Sequence, residues 1–185
     1  MSFNSETKLT VADFNLRRRK YRPHKVRFLL IAESPPSSGG FFYFGTTIGK
    51  DHLFRETMKA LELWPRNEPM RKGIDKGAML RRFQSMGFYL LDTCVFPVDK
   101  LRPSERRKAV LSQTGRLVND VIEADPVHIL VVKSSIFAPV SIALRDAGLW
   151  ARVLNTRPVP FPSHGNQRIY RSMLRRALSK AHLSL

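Results

Sequence analysis

Compact apolar runs alternate with amphipathic segments along the chain. Val26 to Ala32 (VRFLLIA) is a short apolar run, too brief for a helix, and predicts a buried strand. Gly87 to Val95 (GFYLLDTCV) and Val127 to Val132 predict a second and a third. Ala151 to Leu154 predicts a short fourth strand, with room to extend towards Val159. The segments between them carry helical signals. Thr10 to Lys20 reads as a basic helix, with Thr10 and Asp13 in capping-box relation and Pro23 ending it. Asp51 is placed to cap a helix with Leu53, Phe54, Met58 and Leu61 on one side. Further helices are expected over Asp75 to Met86, Pro103 to Ala124, Ser134 to Gly148 and Asn166 to Lys180. In the long one, Val110, Leu117, Val118 and Ile122 form the apolar side.

Strands that alternate with helices imply parallel pairing, because parallel neighbours need crossovers. The expected fold is therefore α/β: a three-layer α/β/α sandwich around a four-stranded parallel sheet. No repeat or long linker divides it, so residues 1–185 read as a single domain, with 1–25 as a basic N-terminal helix and extension.

Composition adds a partner class. Lysine and arginine total 32 against 15 acidic residues, a formal net charge of +17. Such a balance points to a polyanion, nucleic acid before membrane surface. Seven basic residues fall between Arg17 and Arg27, and after Asp146 the chain has no acidic residue. No stripe of Trp, Phe and Leu adjoins either cluster, which disfavours a membrane surface. A single cysteine excludes a disulfide framework, a four-cysteine zinc site and an all-cysteine iron–sulfur cluster. The histidines show no metal spacing, so no metal and no cofactor are expected. The N-terminus lacks signal-peptide order, and no apolar stretch approaches the roughly 20 residues that span a bilayer. The expectation is an intracellular, cytoplasmic monomer.

In open parallel sheets, ligands bind beyond the carboxyl ends of the strands. Four segments should meet there: Glu33-Ser34-Pro35-Pro36, Asp92, Lys133-Ser134, and Phe161-Pro162-Ser163-His164-Gly165-Asn166. Glu33 closes an apolar run, where a carboxylate is costly unless used or paired. It reads as a functional acid, or as a helix cap or the partner of a nearby arginine. Asp92 interrupts a strand and reads as a ligand group, or as a turn or edge residue. His164 reads as a proton donor or a plain helix-start residue. Phe41 to Phe44 form an aromatic run in a Gly/Ser loop, and at least one is free to stack on a flat ligand.

A carboxylate, a histidine and an aromatic platform at one basic rim suit the capture of an extruded nucleobase. N-glycosidic cleavage passes through a cationic sugar and a departing base anion. The carboxylate stabilises the first and positions water, and the histidine or a backbone N–H stabilises the second.

At these residues the sequence resembles the uracil-DNA glycosylase superfamily, across roughly residues 26 to 180. Ile31-Ala32-Glu33-Ser34-Pro35-Pro36 is similar to its first motif, Gly-Glu-Ala-Pro-Gly in the iron–sulfur branch. Phe161-Pro162-Ser163-His164-Gly165-Asn166 resembles the second, His-Pro-Ser-Pro-Leu-Ser or Asn-Pro-Ser-Gly-Leu. Tyr89-Leu90-Leu91-Asp92-Thr93 matches the strand whose end carries the uracil-reading Asn. The resemblance implies that Glu33 supports the sugar cation or the water, with His164 near the base. It implies that Tyr43, or its neighbours Phe42 and Phe44, stacks on uracil, and that Asp92 reads the base edge. Ser34, Pro35, Pro162, Ser163 and Gly165 would then hold the DNA strand, and Asn166, Gln167 and Arg168 fall at the wedge position. Three positions depart from the family: Ser34 where other branches have an Asp, Phe161 in place of the motif's His, and Asp92 in place of Asn.

The expected function is thus a monofunctional uracil-DNA glycosylase acting on DNA that contains uracil. One rival is a binding protein of the same fold that holds damaged or single-stranded DNA without cutting it. Another is an acyl or phosphoryl hydrolase using Ser34 or Ser163. Neither a Gly-x-Ser-x-Gly elbow nor a phosphate-loop glycine pattern supports that one.

Overall fold

Phe28–Ala32 form β1, the centre of a three-stranded parallel sheet ordered β2-β1-β3. The computed structural model describes residues 9–182. Strand β2 is Phe88–Asp92 and β3 is His128–Val131. Phe28 pairs with Phe88 and His128, and Ala32 pairs with Asp92. Every side chain of β1 is buried. This explains the unbroken apolar run, since a strand covered on both faces has no solvent side to alternate with.

The described residues also form six α-helices: α1 Val11–Lys20, α2 His52–Ala60, α3 Gly77–Ser85, α4 Pro103–Ala124, α5 Ser134–Asp146 and α6 Gln167–Lys180. Helix α2 packs on α6, α4 on α5, α3 on β2 and α5 on β3. The expected capping box is present: Thr10 Oγ1 accepts from Asp13 N–H, and the Asp13 carboxylate accepts from Thr10 N–H. Beyond α5, Gly148 takes a positive φ of 73°, which suits a residue without Cβ.

Three expectations need correction. The sheet has three strands, not four. Trp150–Arg152 is a 3₁₀ turn, and Val153 and Val159 touch the edge of β3 only as isolated bridges to Ile129 and Val132. Between those bridges Asn155 replaces a strand: its Oδ1 accepts from Val131 N–H at 3.0 Å and its Nδ2 donates to Val131 C=O at 3.1 Å. Pro158 and Pro160 lack N–H groups and cannot continue a ladder there. On α4 the buried face is Val110, Leu117, Val121 and Ala124, while Ile122 is 56% exposed. Ile122 lies about 100° round the helix from Val121. Finally, Asp51 precedes α2 without a side-chain capping bond, because its carboxylate is engaged elsewhere.

Candidate nucleobase cleft

The carboxyl ends of the strands open on a cleft of about 420 Å³. Glu33, Ser34 and Pro36 reach it from the end of β1, Asp92 from β2 and Lys133 from the end of β3. Phe161, Ser163 and His164 close it from the loop before α6, and Phe41 and Phe42 supply an apolar wall. The four segments expected at this rim therefore line one concavity. It sits where the connections from β1 and β3 diverge, a topological switch point.

Glu33 is 5% exposed, and both its oxygens are held. Oε1 accepts from Arg106 Nε at 3.0 Å and from Ser135 Oγ at 2.9 Å. Oε2 accepts from Arg106 Nη2 and Lys133 Nζ. Burial works to raise its pKa, but bonds from Arg106, Lys133 and Ser135 outweigh burial and hold the carboxyl below its ordinary value. Glu33 is thus ionised, fixed and surrounded by positive charge. Arg106 closes the first turn of α4, and Lys133 precedes α5 with a φ of 92°. Both helices start at the same rim as the cleft.

Asp92 is buried and shares Oδ2 with Arg18 Nη2, 2.7 Å away on α1. Its Oδ1 has no hydrogen-bond partner among the described residues. Burial raises the Asp92 pKa, and Arg18 opposes it. Arg18 also lies over the Phe41 ring, 5.3 Å from its centroid. The N-terminal basic cluster is therefore divided. Arg17, Arg19 and Lys20 are exposed, whereas Arg18 is a buried part of the site.

The aromatic run turns inward, contrary to the expectation that Tyr43 stacks on a ligand. Phe41, Phe42 and Tyr43 are buried, and Phe44 is partly buried against Phe14 and Phe41. Tyr43 and Phe44 do not line the cleft; Phe41 and Phe42 do. Tyr43 is committed to the sheet: its hydroxyl accepts from Leu90 N–H at 2.7 Å and reaches Leu90 C=O at 3.2 Å. Strand β2 is an edge, so without Tyr43 these two groups would be buried unpaired.

Lys76 holds the wall in place. It is 0% exposed, and Nζ donates to the carbonyls of Phe41 and Phe42 at 3.0 and 3.2 Å. It pairs with Asp51, which also lines the cleft, and lies 4.3 Å from the Phe54 ring centroid. Burial pushes the Asp51 carboxyl up to about 6, against the pull of Lys76. The same burial lowers the Lys76 pKa.

His164 is exposed at the cleft mouth with a φ of 50°, and its Nδ1 lies 2.9 Å from Ser163 Oγ. Ser34 Oγ accepts from Val98 N–H at 3.4 Å. Pro35 and Pro162 are buried outside the cleft lining. Gly165, Asn166, Gln167 and Arg168 also lie outside it, at the start of α6. Arg168 shares a surface hollow with Arg66, Arg171, Arg175 and Arg176.

Sequence reasoning missed Arg106 and Lys76 and counted Arg18 with the rest of the basic cluster. Arg106 had a readable signal, since a helix starting at Pro103 after the second strand must begin at the binding rim. Lys76 had none: a lysine beside a helix start is ordinarily solvated. Among the described residues no group of His, Cys, Asp and Glu could hold a metal, and no helix is long and apolar enough to cross a membrane. No protein-family model matches the chain, and no curated protein matches it.

Proposed function

We propose that the cleft receives a nucleobase turned out of DNA, and that the chain is an N-glycosyl hydrolase of uracil-DNA glycosylase type. One observation carries this reading. Glu33, Asp92 and Ser163-His164, distant in sequence, line a single cleft with an apolar wall at a switch point of the sheet. Right-handed crossovers put α4 on the face of the sheet opposite α2, and α5 packs on α4 and α6 on α2, which makes the fold a three-layer sandwich.

In this reading the base lies against Phe42 rather than Tyr43. The free Oδ1 of Asp92 accepts an N–H of the base, with Arg18 holding the carboxylate from behind. Glu33 faces the sugar, where its fixed negative charge favours the cation that forms as the bond to the base breaks. His164 stands at the mouth to donate towards the departing base. Exposed arginines and lysines, among them Arg17, Arg19 and Arg168, bind phosphates.

The ion pairs on Glu33 favour a second reading. Arg106 and Lys133 neutralise the charge that the sugar cation would use. A protein built so would hold the extruded base without cleaving it.

A uracil-containing oligonucleotide, incubated with the protein in EDTA and treated with alkali, tests both. Strand scission that falls about 100-fold in Glu33→Gln supports the hydrolase. Uracil-dependent binding without scission supports the holding protein. Absence of both scission and any preference for uracil DNA would refute the reading of the cleft.

A further inference from the structure

A second cavity, of about 610 Å³, runs between α4 and α5 behind Glu33. Helix α4 turns Pro103, Arg106, Arg107, Val110 and Leu111 towards it, and α5 turns Ser135, Ala138, Pro139 and Ile142. Both sets recur at three- and four-residue spacing, so each is one helix face. Of the ten exposed large apolar side chains among the described residues, three line this groove: Leu101 at 39%, Leu111 at 50% and Ile142 at 57%. Apolar surface gathered in this way marks a binding site more often than scattered residues do.

The charges lie at one end. Arg106 and Lys133 stand there with Glu33, and exposed Arg107 has no ion-pair partner among the described residues. Three cations face one carboxylate, so the end favours an anion. The walls beyond, formed by Val110, Leu111, Ala138 and Ile142, are apolar. A peptide would bring a backbone N–H and C=O at each residue, and these side chains offer them no partners. An apolar body with a single anionic head fits better. The volume suits a small molecule.

Glu33, Arg106 and Lys133 line both the groove and the cleft. The ion triad is the partition between them. We infer that the α4–α5 groove is an effector site for a free, soluble apolar carboxylate, whose head group draws Arg106 and Lys133 away from Glu33. The bound ligand then frees the Glu33 carboxylate on the cleft side. Occupancy of the groove is independent of the proposed function; only the consequence for Glu33 rests on it.

Titration calorimetry with decanoate, compared with decan-1-ol, tests the site. Decanoate should bind with one-to-one stoichiometry and more tightly than the alcohol. Ile142→Glu and Leu111→Glu, both at exposed positions, should each weaken it by about tenfold, and Arg107→Ala should weaken decanoate but not the alcohol. The carboxyl carbon resonance of Glu33 should move as decanoate saturates the protein and stay still with decan-1-ol. Absence of decanoate binding overturns the inference, as does equal affinity for the alcohol or binding indifferent to both glutamate variants. Adsorption to phosphatidylglycerol vesicles without binding of free decanoate also overturns it. An unmoved Glu33 resonance at saturation overturns the effector role. None of these readouts uses DNA, so they separate this inference from the reading of the cleft.

Discussion

Arg18 on the first helix donates to Asp92 at the end of the second strand across 2.7 Å, with side-chain exposures of 6% and 3%. The basic helix is thereby fastened to the floor of the cleft. Removing one partner leaves the other buried and unpaired, which costs about 3–5 kcal/mol. Arg18→Ala should therefore destabilise strongly in urea denaturation, and the Arg18→Ala/Asp92→Asn double variant should recover part of the loss. The penalty in Arg18→Ala should shrink as the pH falls and Asp92 takes up a proton. Strictly additive single and double variants would show that the two side chains are not coupled.

Arg17 and Arg19 point away from that ion pair and are exposed. Their reversal to Glu should weaken DNA binding while leaving the unfolding midpoint nearly unchanged. The slope of log affinity against log salt should fall by about 0.9 for each phosphate of duplex DNA that the variant no longer neutralises. An unchanged slope would move the phosphate surface away from the first helix, to the arginines of α6.

Asp51 gives stability a pH dependence of definite sign. Its folded pKa, about 6, lies above the ordinary 3.8, so the folded state binds the extra proton between these values. This contribution is complete below the lower value and is lost as the pH rises through the upper one. Between pH 4 and 6, wild type should lose stability relative to Asp51→Asn, and the difference should level off above pH 7. Melting temperatures of the two proteins across that range decide the matter; parallel curves would show that Asp51 titrates at its ordinary pKa.

Tyr43→Phe removes one hydroxyl and leaves Leu90 N–H and C=O without it at a buried edge. The expected loss is about 1–3 kcal/mol. Base preference should not change, since Tyr43 lies outside the cleft lining. If Tyr43→Phe altered which base is held and left stability intact, the tyrosine would belong to the site after all.

The largely apolar runs at 28–32, 88–92 and 128–131 were legible because a doubly covered strand needs apolar side chains along most of its length. Their alternation with helices was enough to place Glu33, Asp92, Lys133 and Ser163 at one rim. The fourth strand misled because Val153 and Val159 supply β-branched side chains, while Asn155 performs the pairing between them through its side chain. Pairing by a side chain leaves no periodic trace. The inward turn of Tyr43 was hidden for a like reason: its partner is the backbone of a residue 47 positions away. Nor does composition tell Arg18 from Arg17. Only the phase of the helix against Asp92 separates them.

Tyr43 at Leu90 and Asn155 at Val131 do the same work at opposite borders of the sheet, each both giving and taking a hydrogen bond. A parallel sheet of only three strands would otherwise offer an extended chain an open template at β2, and at β3 one interrupted only by the bridges to Val153 and Val159. With these two plugs in place, a partner peptide cannot register on β2 or β3 without first evicting a buried side chain. Recognition by strand addition is thereby closed to this protein, and so is the edge-to-edge stacking that seeds fibrils. Conversely, Asn155→Ala should unlatch one border, and its first symptom should be self-association rather than a change at the cleft.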